Sequence, residues 1–303
     1  MSTLPDSFAD YRHEIVRDLA WLIHSPGLVN LPESLRADWL FDYPHLHDQL
    51  TYFDQHPNRL ICKLRQQASY RLGYYFEDLV RIYLKNFIQP SELKSNIQVC
   101  KDKTTVGEYD FLIRLQSGEK IHLETAVKFY LFSGTDSSEG LAGFIGPNRT
   151  DCLERKWNRL MDHQLRLSQT SAGSDQAEAL DLMPDRRSLL LKGYLFYPYA
   201  HWQDFPVIEP LNPDHARGWW LKVSQCDLLS SDKVRYRVLM KPQWLATARV
   251  KYHDSMSHAE LVNVMSDLST PLLIAELTKD TQSNVWRERS RGFLVPDNWQ
   301  LAP

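Results

Sequence analysis

The sequence predicts an α/β fold, a mixed sheet flanked by helices with a β-rich C-terminal addition. Three observations predict it. Residues 66–88 carry apolar side chains at helical spacing. Residues 107–132 hold two alternating runs joined at Ser117-Gly118, the pattern of an antiparallel hairpin. An apolar run at 188–198 follows a second helical stretch at 151–169. With a short strand at 96–100, residues 66–198 therefore spell helix, three strands, helix, strand.

The chain of 303 residues suits one large domain or two modest ones. Apolar residues at 43% and charged residues at 24% exclude a disordered chain, a collagen-like repeat and a small disulfide scaffold. A net charge of -3 excludes a polycation, so a nucleic-acid site has to be a local patch. Cys62, Cys100, Cys152 and Cys226 form no C-x-x-C pair, which speaks against a zinc ribbon or redox dithiol and for reduced thiols. Asp6, Asp10 and Glu14 stand where a signal peptide needs a basic region. No window reaches the roughly 18 apolar residues of a membrane span. The expectation is a cytoplasmic protein without a membrane partner.

Residues 1–65 read as a helical and irregular extension. Phe8, Tyr11, Ile15, Leu19 and Leu22 make one helix face, stopped by Pro26-Gly27. Residues 30–58 have no clean period and room for one short helix. In 66–88, Leu72, Phe76, Leu79, Tyr83 and Phe87 form the buried stripe. Glu77 lies about 100° round from Phe76, at its edge, and Gly73 one turn earlier lets another backbone approach. A Gly/Ser-rich loop fills 133–150. In 151–169, Leu153, Trp157, Leu160 and Leu167 face inward, with an Asp151–Glu154 capping box. Residues 170–187 read as a polar connection. The addition over 199–303 holds strands at WWLKV, VRYRVLM, PLLIAEL and GFLVP and a helix near 257–268.

The hairpin carries the chemistry. Ile121, Leu123, Thr125, Val127, Phe129 and Leu131 share one face of their strand; His122, Glu124, Ala126, Lys128, Tyr130 and Phe132 share the other. On the preceding strand Glu108, Asp110, Leu112 and Arg114 oppose Tyr109, Phe111, Ile113 and Leu115. A three-residue loop, Ser117–Glu119, makes the apolar faces coincide. It pairs Asp110 with Ala126 and Glu108 with Lys128, with Glu124 and Lys128 as diagonal neighbours of Asp110. Two carboxylates and a lysine suit metal-assisted phosphodiester hydrolysis. The carboxylates hold Mg²⁺ or Mn²⁺, and the lysine offsets developing charge. The competing explanation is a solvated strand face with an ordinary Glu108–Lys128 pair.

This order of elements resembles the PD-(D/E)XK nuclease superfamily, whose restriction-endonuclease-like core would span residues 66–198. "GEYDFLIR", "HLETAVKFYL", "GPNRTDCLERKWNRLMDHQLRLS" and "LLKGYLFYP", with "PLLIAEL" and "RGFLVP", resemble an uncharacterised bacterial family, the domain-of-unknown-function family 1853. The superfamily resemblance implies that Glu77 is the helical glutamate, Asp110 the metal aspartate and Lys128 the lysine of the triplet. Ala126 stands where the triplet has Asp or Glu. Glu124 reaching back, a bulge, or Glu108 as reserve ligand would each complete the site; otherwise it is degenerate. The implied function is a nuclease with Mg²⁺ or Mn²⁺ acting on nucleic acid, DNA ahead of RNA. A catalytically silent nucleic-acid-binding or regulatory module is the alternative.

Lys156, Arg159, His163 and Arg166 recur at spacings of 3, 4 and 3, with Arg149 just before. They form a candidate phosphate-backbone stripe or a solvated helix face. His122 is assigned a structural or surface role ahead of ligation, and Lys192 is expected to snorkel to an edge. Trp219, Trp220, Trp244, Trp286 and Trp299 are assigned to the core. The basic cluster at 286–291 is read as a loop. No phosphate-loop, G-x-S-x-G, H-E-x-x-H or G-x-G-x-x-G motif occurs.

Overall fold

A computed structural model describes residues 10–64, 71–134, 137–281 and 283–299. Asp6, Phe8 and the start of the helix expected over 66–88 lie outside the described residues. The helices are α1 (Glu14–His24), α2 (Leu46–Gln55), α3 (Asn58–Ile61), α4 (Leu72–Tyr83), α5 (Leu153–Asp162), α6 (Ser171–Ala179) and α7 (His258–Met265). The strands are β1 (Glu92–Lys101), β2 (Thr104–Arg114), β3 (Lys120–Phe132), β4 (Phe144–Ile145), β5 (Arg186–Pro198), β6 (Arg217–Lys222), β7 (Arg235–Val238), β8 (Arg249–Val250), β9 (Leu272–Lys279) and β10 (Trp286–Val295). Among the described residues they make one mixed sheet of ten strands, accompanied by helices. No described helix is long and apolar enough to cross a membrane.

The chain divides into two compact units. One comprises residues 29–128 and 154–192; the other comprises 1–28, 129–153 and 193–303. β3 and β5 each contribute residues to both units.

In the unit of 29–128 and 154–192, α4 buries Phe76, Leu79, Val80 and Tyr83. It ends in a wide turn, Leu84–Ile88, closed by Gln89 in the left-handed region (φ 50°). β1 and β2 form a hairpin whose turn residues, Asp102 and Lys103, both have positive φ, the geometry of a two-residue turn matched to strand twist. The segment 170–187, expected to be a connection, contains α6. Thr170 caps it by accepting from the Gly173 amide. Only Gly173 and Ala177 of α6 are buried, so no apolar stripe announces it. A Cβ at Gly173 would lie 1.9 Å from the Leu167 carbonyl oxygen, so only glycine fits. Val99, Tyr109, Leu112, Leu167, Ala177 and Leu182 pack together here.

α5 is shorter than the expected 151–169. It stops at Asp162, His163 leaves helical geometry (φ −124°), and Gln164–Gln169 form a tighter turn. Lys192 does not snorkel. It is 3% exposed, with its amine 4.7 Å from the Phe41 ring centroid, and burial lowers its pKa to about 7.

In the other unit, β6 lies parallel between β5 and β10, and β9 runs antiparallel to β10 and β7. Its core contains Trp219, Leu221, Tyr236, Leu261, Ile274 and Leu294. Trp219, Trp220 and Trp299 are buried as expected. The cluster at 286–291 is not a loop but β10. Arg291 is buried in it, held by Glu288 and by the carbonyls of Trp244, Leu245 and Ala246.

Candidate active site on the β2–β3 hairpin

The hairpin loop has three residues, as expected, but it is Gln116–Gly118, one position earlier than Ser117–Glu119. Leu115 N–H donates to the Glu119 carbonyl, and the last loop position takes φ +91°, which Gly118 adopts without strain and Glu119 would not. The observed partners are Phe111↔Leu123, Leu112↔His122 and Ile113↔Ile121. This register moves β3 by two residues against the expected one. Asp110 now lies beside Glu124 rather than Ala126, and the Asp110 amide donates to Glu124 Oε1 at 3.4 Å. Glu124, not Ala126, is therefore the side chain at Asp110.

The charged face of β3 is not a solvated surface. His122 and Glu124 are both 0% exposed. Tyr109 also departs from its expected face, because it packs with Leu112 and sets its ring edge against His122 at 4.7 Å. The alternation breaks there, where the recorded β2–β3 ladder ends at Phe111.

Each acid is held by named donors. Asp110 Oδ2 accepts from the Thr125 amide at 2.8 Å and the Thr125 hydroxyl at 3.2 Å. Glu124 Oε1 lies 2.7 Å from His122 Nε2, and its Oε2 accepts from Gln164 Nε2 at 2.9 Å. Gln164 Oε1 in turn accepts from Lys156 Nζ at 2.9 Å. Lysine has only donors, so Lys156 fixes the Gln164 amide with its nitrogen toward Glu124. Asn96 on β1 works similarly. Its Oδ1 accepts from Arg81, which turns Nδ2 toward Glu77 (3.0 Å) and Glu108 (3.3 Å). Asn96 has φ 54°, a left-handed conformation that asparagine tolerates better than most residues.

Burial dominates the electrostatics. It pushes Asp110 up to about 8, with Glu124 and Glu77 adding repulsion that the Thr125 donors only partly offset. Burial also pushes Glu124 up to about 8, opposed by the Asp110 amide and Lys156 and reinforced by Glu108 and Glu77. His122 is pulled down to about 3 by burial. Burial thus disfavours charge on both partners of the His122–Glu124 hydrogen bond. His122 Nδ1 has no hydrogen-bond partner among the described residues. The Lys156 pKa is lowered by burial and by neighbouring Lys128, while Asp110 and Glu124 hold it up.

The structure thus brings Glu77, Glu108, Asp110 and Glu124 into one electrostatic neighbourhood, whereas the register takes Lys128 off its expected diagonal position beside Asp110 and leaves it a neighbour of Lys156. Lys156 joins them instead of lying on a solvated stripe. Arg159, His163 and Arg166 are exposed. The break at His163 ends the helical spacing, so Arg166 sits on the following turn rather than on α5. Arg149 belongs to the other unit, where its guanidinium meets the Trp299 carbonyl and lies over that ring at 5.8 Å. The sequence does not single out Asn96; it offers Gln164, with Arg166, as able to approach a site on the sheet without placing it. Their one legible signal was polar amide chemistry flanking the predicted strands and helix.

The donor set is all oxygen, which suits a hard cation. Two adjacent desolvated carboxyls with raised pKa values are a site that a divalent cation would neutralise. Residues 17–295 match the family described as Domain of unknown function (DUF1853). Comparison with curated proteins and with solved structures gave no match.

Proposed function

We propose that this chain, which belongs to the DUF1853 family, is a nuclease-like protein that hydrolyses nucleic-acid phosphodiesters with Mg²⁺ or Mn²⁺. The observation that carries this reading is the β2–β3 register, which sets Asp110 beside Glu124 with Lys156 linked to the pair through Gln164. Asp110 and Glu124 would hold the cation, with Glu108 in reserve and Glu77 orienting a second ion or water through Asn96. Such a cation supplies phosphoryl polarisation and a more acidic water. Position 126, two beyond Glu124, is alanine and offers no amine. Lys156 reaches the pair through Gln164, and with Lys128 it would offset charge developing on the phosphate. Exposed Arg159, His163 and Arg166 would contact backbone phosphates, DNA ahead of RNA, with affinity falling steeply with salt. The succession α4, β1–β3, α5, β5 supports a restriction-endonuclease-like arrangement within the mixed sheet. Four free thiols suit a reducing cytoplasm.

A second reading, a silent nucleic-acid-binding module, is favoured by one specific observation. The oxygens of Asp110 and Glu124 already accept from protein donors, and among the described residues no three donor atoms of this site lie within 4.8 Å of one another. Calorimetric titration with Mn²⁺ at pH 8, combined with anisotropy of labelled DNA and RNA, separates the two. The nuclease reading expects Mn²⁺ binding that Glu124→Gln abolishes. Nucleic-acid binding without Mn²⁺ binding would support the silent module.

A further inference from the structure

Outside the hairpin site, the described residues of the unit of 1–28, 129–153 and 193–303 hold one mixed group of metal-ligating side chains. Cys226 and Asp227 sit side by side on a short 3₁₀ helix, Val223–Leu229. His258 is the first residue of α7. Among the described residues, these three alone bring their donor atoms within 4.8 Å of one another. We propose that Cys226, Asp227 and His258 form a site for a borderline-soft transition ion, Zn²⁺ above all, independent of the carboxylate site on the hairpin.

The donor set selects the ion. A thiolate, an imidazole and a carboxylate match Zn²⁺, whereas an all-oxygen set matches Mg²⁺ or Ca²⁺. Three protein ligands leave a fourth tetrahedral position for water or another group. The imidazole is already oriented for the task. His258 Nε2 lies 3.0 Å from the Cys226 carbonyl oxygen. The ring therefore already faces Cys226, and ligation through Nε2 would exchange that carbonyl contact for the ion.

The scaffold behind the group is firm. Ser257 caps α7 and exchanges hydrogen bonds with Glu260 in a capping box, which fixes where His258 emerges. The His258 ring sits 6.3 Å from that of Tyr236, itself fully buried. Cys226 packs against the same core as Tyr236 and Leu261. The ion would therefore clasp the 3₁₀ helix to the start of α7. Binding exchanges the thiol proton for the metal: the S–H bond breaks, the S–Zn bond forms, and one proton leaves to solvent. Acidic neighbours Asp227 and Asp297, with burial, raise the thiol pKa in the metal-free state. A cation reverses that bias.

Titration of the full chain with Co²⁺ as a spectroscopic stand-in for Zn²⁺ tests this. One equivalent should produce thiolate-to-cobalt charge-transfer absorption together with the visible bands of a tetrahedral ion, and Zn²⁺ should displace both. Cys226→Ser should abolish the charge-transfer band, and His258→Ala should weaken affinity at least about tenfold. Asp110→Asn should change neither. Circular dichroism of each variant confirms the fold, and Cys62→Ser controls for a distant thiol. Absence of a stoichiometric cobalt spectrum in folded wild type, or a charge-transfer band that survives Cys226→Ser, would overturn the proposal.

Discussion

Glu124→Gln perturbs the hairpin site at a fully buried carboxyl. Burial pushes Glu124 from 4.5 to about 8. A carboxyl with a raised folded pKa keeps its proton longer in the native state. Its contribution to stability is fully present below about pH 4.5 and is lost as pH rises toward 8. At about 1.36 kcal/mol per pKa unit, the limiting loss is about 5 kcal/mol. Relaxation and water entry lower such penalties severalfold, leaving on the order of 2 kcal/mol. Glutamine cannot ionise and escapes this loss. It does present an amide N–H where Gln164 Nε2 now donates, a mismatch costing about 1 kcal/mol at every pH. The variant should therefore be less stable than wild type at pH 5 by about 1 kcal/mol and more stable at pH 8 by a similar amount. Urea unfolding followed by tryptophan fluorescence, in chelator at pH 5, 6, 7 and 8, measures the difference. A difference that does not move with pH, or one that turns against the variant at high pH, would refute a buried carboxyl with a raised pKa.

The other expectations are simpler. Mn²⁺ should stabilise wild type at pH 8 by about 2.7 kcal/mol at a hundredfold excess over its Kd, and calorimetric scans should show no such gain for Asp110→Asn. Gly173→Ala should lose at least ~2 kcal/mol by forcing α6 away from the Leu167 carbonyl. Gly73→Ala, with nothing within 4 Å of its new Cβ, should gain up to ~1 kcal/mol from helix propensity; paired urea melts decide both. Lys156→Met should cut cleavage by ~100-fold or more while leaving nucleic-acid affinity within a few-fold. Equal losses in both would return Lys156 to a plain phosphate contact.

Much of the fold was legible because its signals are local. The stripe Phe76, Leu79 and Tyr83 marks α4, and alternation marks β2 and β3. Four gaps have physical causes. α6 buries only Gly173 and Ala177, so periodicity cannot reveal it. The strand face carrying His122 and Glu124 looks solvated by composition, yet helices and turns remote in sequence cover it. The register error came from the turn, where Ser117–Glu119 and Gln116–Gly118 satisfy the same parity and only the positive φ of Gly118 separates them. That two-residue shift decides whether Ala126 or Glu124 faces Asp110. Lys156 was read as solvent-facing from its spacing with Arg159, since nothing in the sequence shows that Gln164 draws it inward.

Divalent-cation-dependent cleavage of single-stranded, duplex and branched DNA and of RNA, by wild type and Asp110→Asn side by side, tests the central claim most directly. Wild type is expected to cleave at least one of these substrates with Mg²⁺ or Mn²⁺, and chelator or Asp110→Asn is expected to abolish it. Cleavage that persists undiminished in a folded Asp110→Asn, or no cleavage of any substrate by metal-loaded wild type, would contradict it.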